Sequence, residues 1–325
     1  MQKKKKRSPL RLITYYVLLF GVLPLLVVAT YTWFSINQSL RVNDLSLYVN
    51  AQNGLQISQS PTGEWGAQLK FDHLVNETSP LRPVTWSEKD QRFYAANYGL
   101  DGRLTSLWQP LSDEYNSNRG DVYGYYTKGV FYLRTDVEMD VSFAPAVAEE
   151  DGASGTFAAG KPVWNSESIR HDNGGYGAEN AIRLGFRFTP VNSDGAETGE
   201  PPLFIILEPN ANTHIDGTSG YIATPSIDGA EHLVEPERLI LQNAATWTEA
   251  DPVLRDHVVW TMGDFTTSAE LFHMKQNSIM RVEVYIWLEG QDVDCNNNIG
   301  DAAEILANIQ FIGETGDSPG LKPIE

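Results

Sequence analysis

The chain has a single cysteine, Cys295, in 325 residues. No intramolecular disulfide is possible, which excludes the small bridge-stapled scaffolds of secreted proteins. The fold must be held by its apolar core, and a chain of this length can bury a sizeable one. Helical periodicity is scarce: only residues 235–242 and 252–258 carry a short helix-like spacing. Acid is lacking from the first forty residues, and charge of either sign is lacking between Arg11 and Arg41. The signatures of several enzyme classes are also absent. There is no H-E-x-x-H, no G-x-S-x-G, no P-loop and no dinucleotide-binding glycine pattern. The six histidines, His73, His171, His214, His232, His257 and His273, show no paired zinc spacing. Cys295 without a positioned histidine is a poor nucleophile.

What is present begins with residues 12–34, which are mostly Leu, Val, Ile, Phe and Tyr. As a helix rising about 1.5 Å per residue they span a hydrocarbon core of about 30 Å. Tyr15 and Tyr16 near one end, and Tyr31, Trp33 and Phe34 at the other, suit the two headgroup layers. Pro24 is tolerated as a kink. The basic residues Lys3, Lys4, Lys5, Lys6, Arg7 and Arg11 hold the N-terminus on the cytoplasmic side. The expectation is a cytoplasmic tail over 1–11, a transmembrane anchor over 12–34, a linker over 35–43, and an extracellular remainder. A cleaved secretory signal is the competing reading, with Val27 and Ala29 before the cut. Both readings export the rest of the chain.

Six of the 24 basic residues precede Arg41 and none of the 42 acids does, which leaves 18 against 42, a balance of −24. Such an acidic ectodomain is a poor partner for nucleic acid or anionic lipid. The expected partners are the bilayer, through the N-terminal segment, and cell-surface polymers or further copies of the chain.

Alternation dominates the exported part. Leu45, Leu47 and Val49 alternate with polar residues, as do Val137, Met139, Val141 and Phe143. Ile182, Leu184, Phe186 and Phe188 follow the same rule, and so do Val282, Val284, Ile286 and Leu288, then Ile305, Ala307, Ile309 and Phe311. A period of two marks half-buried strands, here with Arg183, Gly185, Tyr285, Trp287 and Glu289 facing outward. Residues 123–134 read as a longer aromatic strand. Residues 203–207 are apolar throughout and read as a strand covered on both faces. One-faced strands must pack a second sheet. The fold class expected is all-β, an antiparallel β-sandwich over residues 44–313, followed by a polar tail over 314–325. Two sandwiches divided near 144–161 are the alternative. That Ala-, Gly- and acid-rich stretch reads as a loop, as do 171–180 and 192–202.

The densest polar constellation is Asp292, Asp294, Asn296, Asn298 and Asp301, directly after a strand. Alternating oxygen donors resemble the opening of a calcium loop, closed by Asp301 or Glu304. Hard oxygen donors favour calcium over zinc. Asn297 stands where such a loop wants glycine and Ala303 where it wants a bidentate Glu, so a tight Asx-rich turn is the other reading. Trp86, Trp108, Tyr123, Tyr125, Tyr126, Tyr132 and Trp164 cluster in one half of the chain, either as sugar-stacking platforms or as aromatic core.

Residues 29–58 read ATYTWFSINQSLRVNDLSLYVNAQNGLQIS. An apolar export segment, an aromatic W-F, a short polar gap and a first strand resemble the start of TasA/camelysin-like exported proteins of Gram-positive bacteria. The resemblance implies a jelly-roll-like β-sandwich and assembly into matrix fibres. The stretch VEVYIWLEGQDVDC resembles a strand and loop of anchored surface proteins of anaerobic Gram-positive bacteria. The function expected is a membrane-anchored structural or adhesive protein of the cell surface, without catalytic residues or cofactor. A carbohydrate-binding module and a hydrolase with a loop-built site are the alternatives.

Overall fold

In the computed structural model the described residues are 41–50, 54–71, 74, 81–87, 91–98, 104–113, 116, 124–144, 147–149, 152–161, 181–208, 224–225, 231–232, 239–243, 261–262, 270–290, 292, 295 and 304–315. About two thirds of them are strand, with essentially no helix. The proposed anchor, residues 12–34, lies outside them. Among the described residues no helix is long and apolar enough to cross a membrane. All of them fall in one compact unit, Ser39–Glu325.

Two large sheets carry the fold. The first contains β1 (Arg41–Val49), β3 (Gln68–Lys70), β8 (Met139–Phe143), β11 (Phe157–Lys161), β18 (Glu270–Met274) and β20 (Glu304–Glu314). Its order is β18-β8-β20-β1-β3, with β11 also on β20. The second contains β2 (Gln56–Ser58), β7 (Tyr126–Arg134), β12 (Ile182–Val191), β13 (Leu203–Glu208), β16 (Leu239–Asn243), β17 (Thr261–Met262) and β19 (Ile279–Leu288). Its order is β17-β16-β13-β12-β19-β7-β2. A three-stranded meander of β4 (Val84–Ser87), β5 (Arg92–Tyr98) and β6 (Leu104–Pro110) forms a third sheet. Two small hairpins complete the set: β9 (Val147–Glu149) with β10 (Gly152–Ser154), and β14 (Thr224–Pro225) with β15 (Glu231–His232).

The alternating residues pack where their period puts them. Leu45, Leu47, Val141, Phe143, Ile305, Ile309 and Phe311 of the first sheet share one core with Leu184, Phe186, Phe188, Val282, Val284 and Ile286 of the second. Phe143, Phe186, Phe188 and Phe311 meet there ring to ring. Val137 is the exception: it is exposed, and its strand begins only at Met139.

The second sheet is covered on its other face too. Tyr126, Phe204, Ile206, Tyr285 and Trp287 pack against Val84, Trp86, Phe93 and Ala95 of the meander. Leu203–Glu208 is indeed buried on both faces, and its unbroken apolar run had announced this. Tyr285, Trp287, Glu289, Arg183 and Gly185 do not face solvent as simple alternation implies. All three named side chains of β19 and its end, and Arg183, are buried. The meander is fastened to the end of this sheet through Val84, whose carbonyl accepts from Gly290 N–H at 2.8 Å, and through Arg82 N–H to Gly124 O at 2.9 Å.

Four further expectations are corrected. Residues 239–243 form a strand, not a helix: Leu239, Ile240 and Leu241 pair with Ile206, Leu207 and Glu208. A short apolar run suits either element, and pairing decided it. The sheets are not wholly antiparallel, since β13 pairs β16 and β1 pairs β20 in parallel. The stretch 144–161 is not one loop: it holds β9, β10 and β11, and β11 pairs β20 from Phe157↔Asn308 to Lys161↔Glu304. The linker expected over 35–43 ends early, because β1 starts at Arg41 with Val42 fully buried opposite Ile305. The second helix candidate, 252–258, and the loop 171–180 lie outside the described residues.

Gly185 shows how tightly the second core is closed. A Cβ there meets Trp287 Cζ3 at 2.8 Å and Phe204 Cζ at 3.0 Å. Both rings are buried and cannot step aside cheaply. Gly185→Ala is expected to destabilise the unit Ser39–Glu325 by about 1–3 kcal/mol, the usual cost of overpacking, as a lower urea midpoint with an unchanged slope.

Candidate functional site

Polar side chains gather at three places in this apolar frame. The first is a buried ionic cluster at the end of the second sheet. Arg183 lies on β12, Glu208 ends β13, and Glu289 and Asp292 follow β19; all are buried. Arg183 Nη2 stands 2.5 Å from Asp292 Oδ2 and 3.2 Å from Glu208 Oε1, and its Nη1 donates to Ile182 O at 3.1 Å. Trp287 Nε1 donates to Glu289 Oε2 at 3.0 Å. The turn itself is closed by backbone bonds from Asp292 N–H to Glu289 O and from Cys295 N–H to Asp292 O. Burial of charge is costly, and mutual attraction plus hydrogen bonding offsets that cost only while every partner stays.

Asp292 thus has a definite place: it fixes the start of the Asp/Asn loop to β12 through Arg183. Its charge is met by a guanidinium, with which a calcium ion would have to compete. Asp294, Asn296, Asn298 and Asp301, the other expected donors, lie outside the described residues. Glu304 opens β20. Among the described residues no group of three or more His, Cys, Asp and Glu is placed to hold a metal ion.

The second cluster lies on the meander side of the second sheet. Lys128 on β7 reaches Asp113 Oδ2 at 2.6 Å and Glu283 Oε1 at 2.9 Å. Tyr126 donates its hydroxyl to Asp113 Oδ1 at 2.6 Å. The Lys128 ammonium also stands 5.1 Å from the centre of the Tyr285 ring. Local structure sets Asp113 in place. Leu111 is buried and bonds Phe93 O, and Asn116 N–H closes one helical turn on Ser112 O. The buried Asn116 side chain then grips β7, donating to Tyr126 O and accepting from Tyr125 and Tyr126 N–H.

The titrations follow from these contacts. Burial pushes the Asp113 carboxyl up, but hydrogen bonds from Lys128 and Tyr126 outweigh it and hold Asp113 below its ordinary value. Burial works against the Lys128 charge, yet the Tyr285 oxygen and the bonds to Asp113 and Glu283 raise its pKa. Burial and the neighbouring Asp113 raise Tyr126, and burial with Glu283 pushes Tyr285 up to about 12. At neutral pH both phenols therefore keep their protons.

The third cluster is exposed, on the outermost pair of the first sheet. His273 on β18 places Nδ1 2.7 Å from Asp140 Oδ1 and Nε2 3.0 Å from Glu138 Oε1. The Asp140 hydrogen bond is the main cause of a raised His273 pKa, with Glu138 adding to it.

Sequence spacing found none of these groupings. Three different placements bring the partners together: the register of β19 on β7 for Glu283 and Lys128, the turn after β19 for Asp292 and Arg183, and the register His273↔Asp140 for the third cluster. Of the aromatic residues singled out, Trp86, Tyr125 and Tyr126 are core, and Trp86 stacks on Phe204 at 4.1 Å. Tyr132 is half-buried on β7; Tyr123 and Trp164 lie outside the described residues, as does the side chain of Trp108. Comparison with protein-family models, curated proteins and solved structures finds no match.

Two outcomes follow. Asp292→Ala leaves Arg183 buried with a partner removed and is expected to cost about 3–5 kcal/mol, measured by urea unfolding of the unit Ser39–Glu325. His273 has a raised folded-state pKa, so its contribution is full below about pH 6.5 and is lost as pH rises through the folded value. The wild type should therefore lose at most about 1 kcal/mol, as exposed pairs are screened, while His273→Asn shows a flatter stability profile over the same rise.

Proposed function

We propose that the chain is a membrane-anchored structural protein of the cell surface, with a jelly-roll-like β-sandwich ectodomain, of the kind suggested by its resemblance to TasA/camelysin-like matrix proteins. The observation that carries this reading is the placing of β1. Six residues, 35–40, separate it from the uncharged stretch 12–34, and it runs parallel to β20 from Arg41↔Glu304 to Val49↔Phe311. Tension between an anchored N-terminal side of β1 and the C-terminal side of β20 loads that ladder in shear. Every bond of the ladder then resists together, as suits a component that holds a surface to a membrane.

The carbohydrate-binding alternative loses one of its platforms, since Trp86 is 5% exposed and stacked within the core. The large acid excess of the exported part favours solubility and mutual spacing at a surface.

The expected outcomes are specific. Protease added to intact, wall-stripped cells removes the ectodomain; protection of the ectodomain sinks the topology. Purified ectodomain examined by electron microscopy forms fibres or ordered arrays, and a glycan array shows no selective binding. A monomer that binds one glycan class, with loss on Trp164→Ala, would instead favour the lectin alternative.

A further inference from the structure

We propose that Lys128 and Asp113 condense into an intramolecular isopeptide bond, an amide from Lys128 Nζ to Asp113 Cγ that ties the 111–116 turn to β7. The four groups that such a reaction needs stand together. The nucleophile is Lys128 Nζ, 2.6 Å from Asp113 Oδ2. The electrophile is the Asp113 carboxyl. The proton carrier is Glu283, whose Oε1 is 2.9 Å from Nζ. The polarising donor is the Tyr126 hydroxyl, 2.6 Å from Asp113 Oδ1, on the oxygen that stays.

Exposure divides these groups usefully. The side chains of Lys128 and Glu283 are 15% and 13% exposed, and that of Asp113 is 61% exposed. The amine and its proton carrier are sheltered, while the Asp113 side chain is largely open to solvent. The turn is held at Leu111 and at Asn116, so the carboxyl is presented to the amine without a search. Such positioning is the main source of rate in intramolecular reactions.

The resting pair is ionised, so the step begins with return of one ammonium proton to Asp113 Oδ2 along their hydrogen bond. The neutral amine attacks Cγ, and the charge that develops on Oδ1 is met by the Tyr126 hydroxyl. Glu283 takes a second proton from nitrogen and gives it to Oδ2. The Cγ–Oδ2 bond breaks, and Oδ2 leaves as water with both protons. Nitrogen keeps its third hydrogen as the amide N–H, and Glu283 returns to carboxylate. Nothing is oxidised or reduced, and no co-reactant is needed. The reaction runs once per molecule, after folding has set the turn. It gives an exported chain with one cysteine the covalent tie that disulfides supply elsewhere.

The test uses full-length protein purified in detergent, denatured, digested with trypsin and read by mass spectrometry. The expected result is blocked cleavage after Lys128. The fragment 104–119 is found joined to 120–134, with a mass one water below their sum. Asp113→Ala, at an exposed position, restores cleavage after Lys128 and the full mass. Glu283→Gln and Tyr126→Phe lower the linked fraction in freshly purified protein. Wild-type protein of full mass that is cut after Lys128 overturns the proposal. Loss of water confined to 104–119, with Lys128 cut, marks a succinimide at Asp113 and overturns it equally.

Discussion

Burial of the second sheet on both faces is the constraint on which the rest of the structure depends. A strand covered on one side needs only an apolar stripe. β12, β13 and β19 are covered on both, so their second faces must also be closed. Phe204, Ile206, Tyr285 and Trp287 supply rings and branches, and the meander supplies the lid. Gly185 exists in that layer because Trp287 and Phe204 occupy the space a side chain would need. Where the covered face carries charge, as at Arg183, the fold has to bring carboxylates from two other segments to meet it. A buried guanidinium thereby specifies where the loop after β19 must start.

Electrostatics in this chain work on two scales. At long range the acid excess is unspecific and governs solubility. At short range cations are placed against named carboxylates, among them Arg183 with Asp292 and Glu208, Lys128 with Asp113 and Glu283, and Arg281 with Glu197. Pairs of the first kind stabilise only as a complete set, whereas the exposed Arg281 pair is screened and worth little.

Much of the fold was legible in the sequence because period two is a local signal. Leu45, Leu47 and Val49, or Ile305 to Phe311, state their inner face without reference to any neighbour. The unbroken run Leu203–Leu207 stated burial on both sides in the same way. What was not legible depended on pairing. Leu239–Asn243 took its strand form from β13, and the alternation in β19 concealed that its polar-looking face was to be covered by residues two hundred positions earlier. The candidate sites were less legible still. Asp292 was singled out as an oxygen donor, yet its partner is Arg183, and no spacing in the chain links them. Lys128, Asp113 and Glu283 carry no motif at all; register and a one-turn cap bring them together.

The pairing of β1 with β20 also sets a timetable. Strand β20 is the spine of the first sheet, bonded to β1 along one edge and to β11 and β8 along the other. It is the last of the described strands to emerge from synthesis, and β1 is the first. One edge of β1 finds β3 early, but the other must wait for β20 until nearly the whole chain has been delivered. Contacts between distant parts of a chain close slowly, and open strands recruit wrong partners while they wait. For this protein the hazardous interval is not unfolding but arrival.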